Sequence, residues 1–176
     1  MRLNLSTFQS VSDPMPRRKP KRKHVIYQSI GPLPARIEGQ YVGRLLVFTD
    51  ASKQKHGGLA ALMFDPEASE PLVETCSIPV MESNALELHA LLFGLYQAER
   101  HFPARPLTVF SDNIDAVNRL LRAKELGIEQ DEGLNAVFPD LNIDQALTMA
   151  DFRWIKGHSS CRGNTLADFY AREAAC

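Results

Sequence analysis

Cysteine is scarce in this chain, and what there is does not form a pattern. Cys76, Cys161 and Cys176 are widely spaced, odd in number and without a C-x-x-C. That argues against a disulfide framework, a disulfide-linked partner or a cysteine-built zinc site, and a reducing cytoplasm is the expected compartment. Long apolar runs are missing too. None reaches the ~18 residues of a membrane span, and no signal-peptide core stands at the start, so no membrane partner is expected. Net charge is nearly absent at −1, but here the balance hides an asymmetry. Residues 1–24 carry seven Lys/Arg and one acid, whereas residues 25–176 carry thirteen bases and twenty acids. The chain reads as an acidic body with a basic arm.

What is present is enough for one domain. A length of 176 residues, 44% of them hydrophobic, suits a single globular core and is short for two. The arm holds Pro14, Pro16 and Pro20 among Arg17, Arg18, Lys19, Lys21, Arg22 and Lys23. It has too little apolar surface to order its backbone. Residues 25–43, with Val25, Ile26 and Tyr27 followed by Gly31, Pro32 and Pro34, are read as an edge strand at most. The expected division is therefore a basic, largely disordered extension over 1–43 and a folded domain over 44–176.

Within that domain the hydrophobic period changes along the chain. Leu45–Phe48 is a continuous apolar run ending at Asp50, as in a strand buried on both faces. Leu59–Phe64 and Pro71–Ile78 follow at turn-sized gaps, which favours antiparallel pairing. Leu88, Leu91, Leu92 and Leu95 then recur at helical spacing through residues 84–100. Leu107–Phe110 predicts a fourth strand, Asp112–Lys124 a second helix, Phe152–Ile155 a fifth strand and Gly163–Ala174 a last helix. One or two short helices are expected in the acidic stretch 125–150. The order is that of an α/β fold, a five-stranded mixed sheet flanked by helices.

Acids sit at informative places on these elements. Asp50 and Asp112 each end an apolar strand; if the two strands are parallel neighbours, both carboxylates emerge at one sheet edge, where open α/β sheets bind ligands. Asp112 could equally cap the second helix. Glu87 lies on the flank of the leucine stripe, where an ionised group needs a partner. Its bland reading is a capping box with Asn84. Asp168 falls in the first turns of the last helix, a place the helix dipole favours for any acid. His158 stands in the loop before it and could be a solvent-exposed bystander.

Taken together, Leu45–Ser52 around Asp50, Asn84–Ala90 around Glu87, Val109–Asp112, Trp154–His158 and Asn164–Asp168 resemble ribonuclease H of the type I branch. The resemblance spans about Arg44 to Ala175, with the four acids in order and the Lys156-Gly157-His158 loop ahead of the fourth. It implies a catalytic set of Asp50, Glu87, Asp112, His158 and Asp168. The four carboxylates would hold two Mg2+ ions, with Mn2+ able to substitute. Asp50 would be shared, Glu87 and Asp112 would hold one ion and Asp168 the other. His158 would assist proton transfer or product release. Ser83 and Asn84 would touch the minor groove of an RNA–DNA hybrid partner, where 2′-hydroxyls mark the RNA strand; a helix cap is the other reading for both. The implied activity is endonucleolytic hydrolysis of that RNA strand, leaving 3′-hydroxyl and 5′-phosphate ends.

The sequence departs from the family in two places that matter. Ala51 stands where glycine is common, at the cost of one methyl group. Residues 119–150 carry Glu125, Glu129, Asp131, Glu132, Asp140 and Asp144 where many members have a basic, tryptophan-containing handle. Grip on a polyanion is therefore expected from Arg17, Arg18, Lys19, Lys21, Arg22 and Lys23, although a nuclear-localisation-like or merely solubilising tail has the same composition. Two rival readings stay open: a DNA nuclease of a mobile element with this fold, and a non-catalytic nucleic-acid-binding module.

Overall fold

Alternation along the first strand decides how the layers assemble. The computed structural model describes residues 31–157 and 161–176. In it β1 (Leu45–Lys53) sends Leu45 and Val47 to one side and Leu46 and Phe48 to the other, as a period of two requires. β2 (Gly57–Phe64) and β3 (Leu72–Ile78) continue antiparallel, while β4 (Leu107–Ser111) and β5 (Ala150–Trp154) run parallel to β1. The order across the sheet is β3-β2-β1-β4-β5. This is the expected five-stranded mixed sheet.

Helices cover both faces. On one, the leucines of α2 (Ser83–His101) pack with α3 (Ile114–Leu126) and α5 (Ile143–Met149) over Val47, Val109 and Phe152. On the other, Ala167 and Ala171 of α6 (Arg162–Ala175) sit against Phe48, Leu62 and Phe110, the two phenylalanine rings stacked at 4.9 Å. A short α4 (Glu132–Val137) and a 3-10 turn at Ile128–Gln130 complete the stretch where one or two short helices were expected.

Small residues set how closely the helices approach. A Cβ added to Gly94 would lie 2.5 Å from Thr49 Cγ2, so α2 can rest on β1 only because position 94 is glycine. This approach brings the N-terminal turns of α2 beside the end of β1 where Asp50 lies.

Three expectations change. Residues 31–43 form α1 (Ala35–Glu38) and a 3-10 turn (Gly39–Tyr41) and no strand; residues 25–30 lie outside the described part. Leu33 is fully buried with the α6-side cluster, and Tyr41 meets Phe110 edge-on at 5.3 Å. Packing thus extends N-terminal of Arg44. Finally, β1 does not stop at Asp50. It runs to Lys53, because Ala51, Ser52 and Lys53 pair with Leu59, Gly58 and Gly57 of the hairpin partner.

Candidate active site

Register places the first two acids side by side. In the parallel β1–β4 pair Phe48 is opposite Phe110, so Asp50 and Asp112, each two residues further on, leave the sheet at the same level. Glu87 reaches them from the second turn of α2. One oxygen from each of Asp50, Glu87 and Asp112 lies within 4.8 Å of the others.

The capping explanations for these acids do not hold. Helix α2 begins at Ser83 and is capped by Glu82, whose Oε2 accepts from the Ala85 N–H at 3.2 Å. Asn84 is therefore not the cap, and Glu87 is not the far end of a capping box. Helix α3 is capped by Asn113, not Asp112, through Oδ1 accepting from the Ala116 N–H at 2.9 Å. Glu87 Oε2 is buried and has no hydrogen-bond partner among the described residues. An orphaned carboxylate oxygen in the interior is costly unless the group is protonated or meets a cation.

The electrostatics agree with that picture. Burial pushes Asp50, only 5% exposed, up to about 8, and the charges of Asp112 and Asp168 push the same way. A hydrogen bond from the Ala51 backbone and the Arg172 guanidinium oppose the rise. Glu87 is raised to about 9, first by burial and then by Asp50 and Asp112. Without a bound cation, both groups are held largely protonated at neutral pH. Three oxygen donors with this spacing, ionised as a cation replaces their protons, can hold a hard divalent ion.

The other predicted residues fall into three groups. Asp168 is on α6, half-buried, with its carboxylate 2.9 Å from Arg172 one turn along, so it borders the triad without joining its 4.8 Å grouping. Ser83 and Asn84 are exposed in the first turn of α2, and Asn84 Oδ1 accepts from Asn113 Nδ2 at 3.2 Å. His158 and the basic residues Arg17, Arg18, Lys19, Lys21, Arg22 and Lys23 lie outside the described residues.

Four residues that sequence reasoning passed over also border the cluster. Trp154 Nε1 donates to the Asp112 carbonyl at 2.9 Å, and a Cβ at Gly157 would lie 2.5 Å from Asp112 Oδ2. The chain leaving β5 thus ties down the Asp112 backbone through Trp154 and, being glycine at 157, leaves room for its carboxylate. Arg172 was legible as an i,i+4 partner of Asp168, and Asn113 as a residue type that caps helices.

A carboxylate triad at the C-terminal edge of the parallel strands, on a mixed five-stranded sheet with helices on both faces, defines a ribonuclease H-like nuclease fold. The RNase H family model matches residues 43–176, and the chain belongs to that family. Solved structures repeat the fold. The N-terminal RNase H domain of Rv2228c from Mycobacterium tuberculosis is 20% identical, with a TM-score of 0.55 over 75% of this chain and 93% of that one. LC11-RNase H1, solved in complex with an RNA/DNA hybrid, is 15% identical, with a TM-score of 0.54 over 75% of this chain and 96% of that one. RNase H1 from the archaeon Halobacterium salinarum NRC-1 is 18% identical, with a TM-score of 0.51 over 75% and 97%. No curated protein matches the sequence.

Proposed function

We propose that this nuclease hydrolyses the RNA strand of RNA–DNA hybrids as an endonuclease, with Asp50, Glu87, Asp112 and Asp168 holding two magnesium ions. The observation that carries the reading is the buried Glu87 Oε2, without a partner among the described residues, beside Asp50 and Asp112. Oxygen-only donors suit magnesium, with manganese as a substitute. When bound, the two ions would stabilise charge on the attacking and leaving oxygens and favour water as the nucleophile.

The chain's own residues then have separate tasks. Asp50 and Glu87, raised by burial, would hold the cations in their ionised forms, which means releasing the protons that burial favours. Trp154 ties the Asp112 backbone from the β5 side, and Gly157 leaves room for its carboxylate. Arg172 holds the Asp168 carboxylate at the border of the triad. His158 would move a proton or help the product leave, and Ser83 and Asn84 would meet the minor groove of the hybrid.

Grip is assigned to the basic arm, Arg17 to Lys23, because the usual place for it is occupied otherwise. Arg119 is bound through two nitrogens by Asp131, at 2.6 and 2.8 Å, and Lys124 is held by the Ala150 carbonyl at 2.6 Å. Of the three bases in that region only Arg122 makes no ion pair among the described residues. The proposed setting is a reducing cytoplasm.

A gel assay tests the reading: full-length protein on labelled hybrid, duplex RNA and duplex DNA of one sequence, with EDTA, magnesium and then manganese. Cutting of the RNA strand of the hybrid alone, and only with metal, is the expected result. An intact hybrid, or a preference for duplex DNA, overturns it.

A further inference from the structure

The N–H and side chain of Asn113 are fixed by three hydrogen bonds. Its backbone N–H donates to Ser111 Oγ at 3.2 Å, its Oδ1 accepts from the Ala116 N–H at 2.9 Å, and its Nδ2 donates to Asn84 Oδ1 at 3.2 Å. The chemistry of the amide makes this a chain of consequences. A side-chain amide has one accepting end and one donating end, and either can usually face a given neighbour. Here the helix cap removes the choice. Only an oxygen can accept from the Ala116 N–H, so the nitrogen of Asn113 must face Asn84. Asn84 must answer with its own oxygen. Its Nδ2, with two N–H groups, is thereby turned away from Asn113, and no partner holds it among the described residues.

The position of the pair gives that orientation a use. Asn113 directly follows Asp112, and Asn84 precedes Glu87 by one helical turn, so the two amides join the elements that carry the acids of the site. Asn84 is exposed there.

We infer that Asn113 is a positioning residue for substrate selection: by capping α3 it fixes Asn84 as a hydrogen-bond donor toward the minor groove of a bound duplex. A ribose 2′-oxygen is an acceptor that such a donor can meet and that DNA lacks. The inference rests on the proposed hybrid-cleaving function.

The test is a double-mutant cycle on the full chain, with N113S, N84A and the pair. Binding to fluorescent hybrid and to duplex DNA is measured by anisotropy in EDTA, so that nothing is cut. Serine is also a good N-cap, so N113S should keep α3 and its melting temperature while losing the amide that holds Asn84. Hybrid affinity should fall about two- to tenfold, the worth of one hydrogen bond, and duplex DNA affinity should not change. In the N84A background the same substitution should change nothing. A second variant, N113D, also keeps the cap but offers Asn84 an oxygen in place of a nitrogen, which turns the Asn84 amide over. Its loss of hybrid affinity should be larger with Asn84 present than in N84A, which separates reorientation from added charge. Equal losses in both backgrounds would make Asn113 a mere strut between helices and overturn the inference, as would no loss at all. If wild type leaves hybrid uncut in magnesium, the proposed function fails and takes this inference with it. If wild type cuts and the cycle shows no coupling, only this inference fails.

Discussion

The two ends of the parallel strands treat acidic residues in opposite ways. At the N-terminal end, Asp151 of β5 has Arg44 at 2.9 Å and Lys124 at 3.7 Å, two cations for one carboxylate. At the C-terminal end, Asp50, Glu87 and Asp112 crowd together, and burial first, then the neighbouring acids, raises the pKa of Asp50 and of Glu87. One end uses charge to fasten β5 to the start of β1. The other crowds carboxyl groups on rigid elements, where their ionised forms destabilise the protein unless protons or cations neutralise them. Carboxylates at the two ends of the sheet thus separate into a structural set and a chemical set, according to what surrounds them.

Substitution at each end should sharpen that contrast. The largest effect is expected at the crowded end. Asp50→Asn or Glu87→Gln should lower hybrid cleavage in magnesium by roughly a thousandfold or more, since a ligand of the catalytic ions is lost. Removing one charge from the cluster should leave the metal-free melting temperature equal or higher. A lower melting temperature with near-normal turnover would mean that the acids are structural after all. His158→Ala comes next: turnover should fall by roughly ten- to a thousandfold, below or near the range of a positioned acid–base group, with hybrid affinity little changed. Lost affinity with normal turnover at saturation would make His158 a substrate contact. The smallest effect belongs to the fastened end. Asp151→Asn should cost about 0.5–1 kcal/mol of stability, because Arg44 and Asp151 are both more than a third exposed and water screens the pair. Its turnover should match wild type; a large loss there would erase the distinction between the ends.

Much of this contrast could be read along the chain, and the exceptions have physical causes. Apolar runs ending at Asp50 and Asp112 reveal two strand ends, and the parallel pairing of β1 with β4 puts them level. The helical period around Leu88, Leu91 and Leu95 correctly places Glu87 on α2, beside the core. Caps were harder. Asn84 and Asp112 both look like caps, yet Glu82 and Asn113 do the capping. Neighbouring polar residues compete for one N-terminus, and tertiary contacts decide between them. Leu33 gave no signal, being a lone apolar residue between prolines whose burial depends on α6 arriving against it. The Arg172–Asp168 pair was readable as helical spacing, but its effect on Asp50 follows only from α6 lying over β1.

The central claim is that Asp50 and Glu87 belong to a cation site, and the pH dependence of stability tests it most directly. Both groups have folded-state values, about 8 and about 9, well above the ordinary carboxylate value of about 4. From about pH 5 to about pH 9 the folded protein therefore keeps protons that the unfolded chain has released. Stability contributed by these groups is fully present below the unfolded value and is lost as pH rises through the folded values. Thermal unfolding of the full chain in EDTA should show a melting temperature falling across that window, beyond what E87Q shows. Magnesium at about pH 8 should raise it by mass action, more in wild type than in E87Q. A wild-type melting temperature that follows E87Q across the window and does not respond to magnesium would contradict the account.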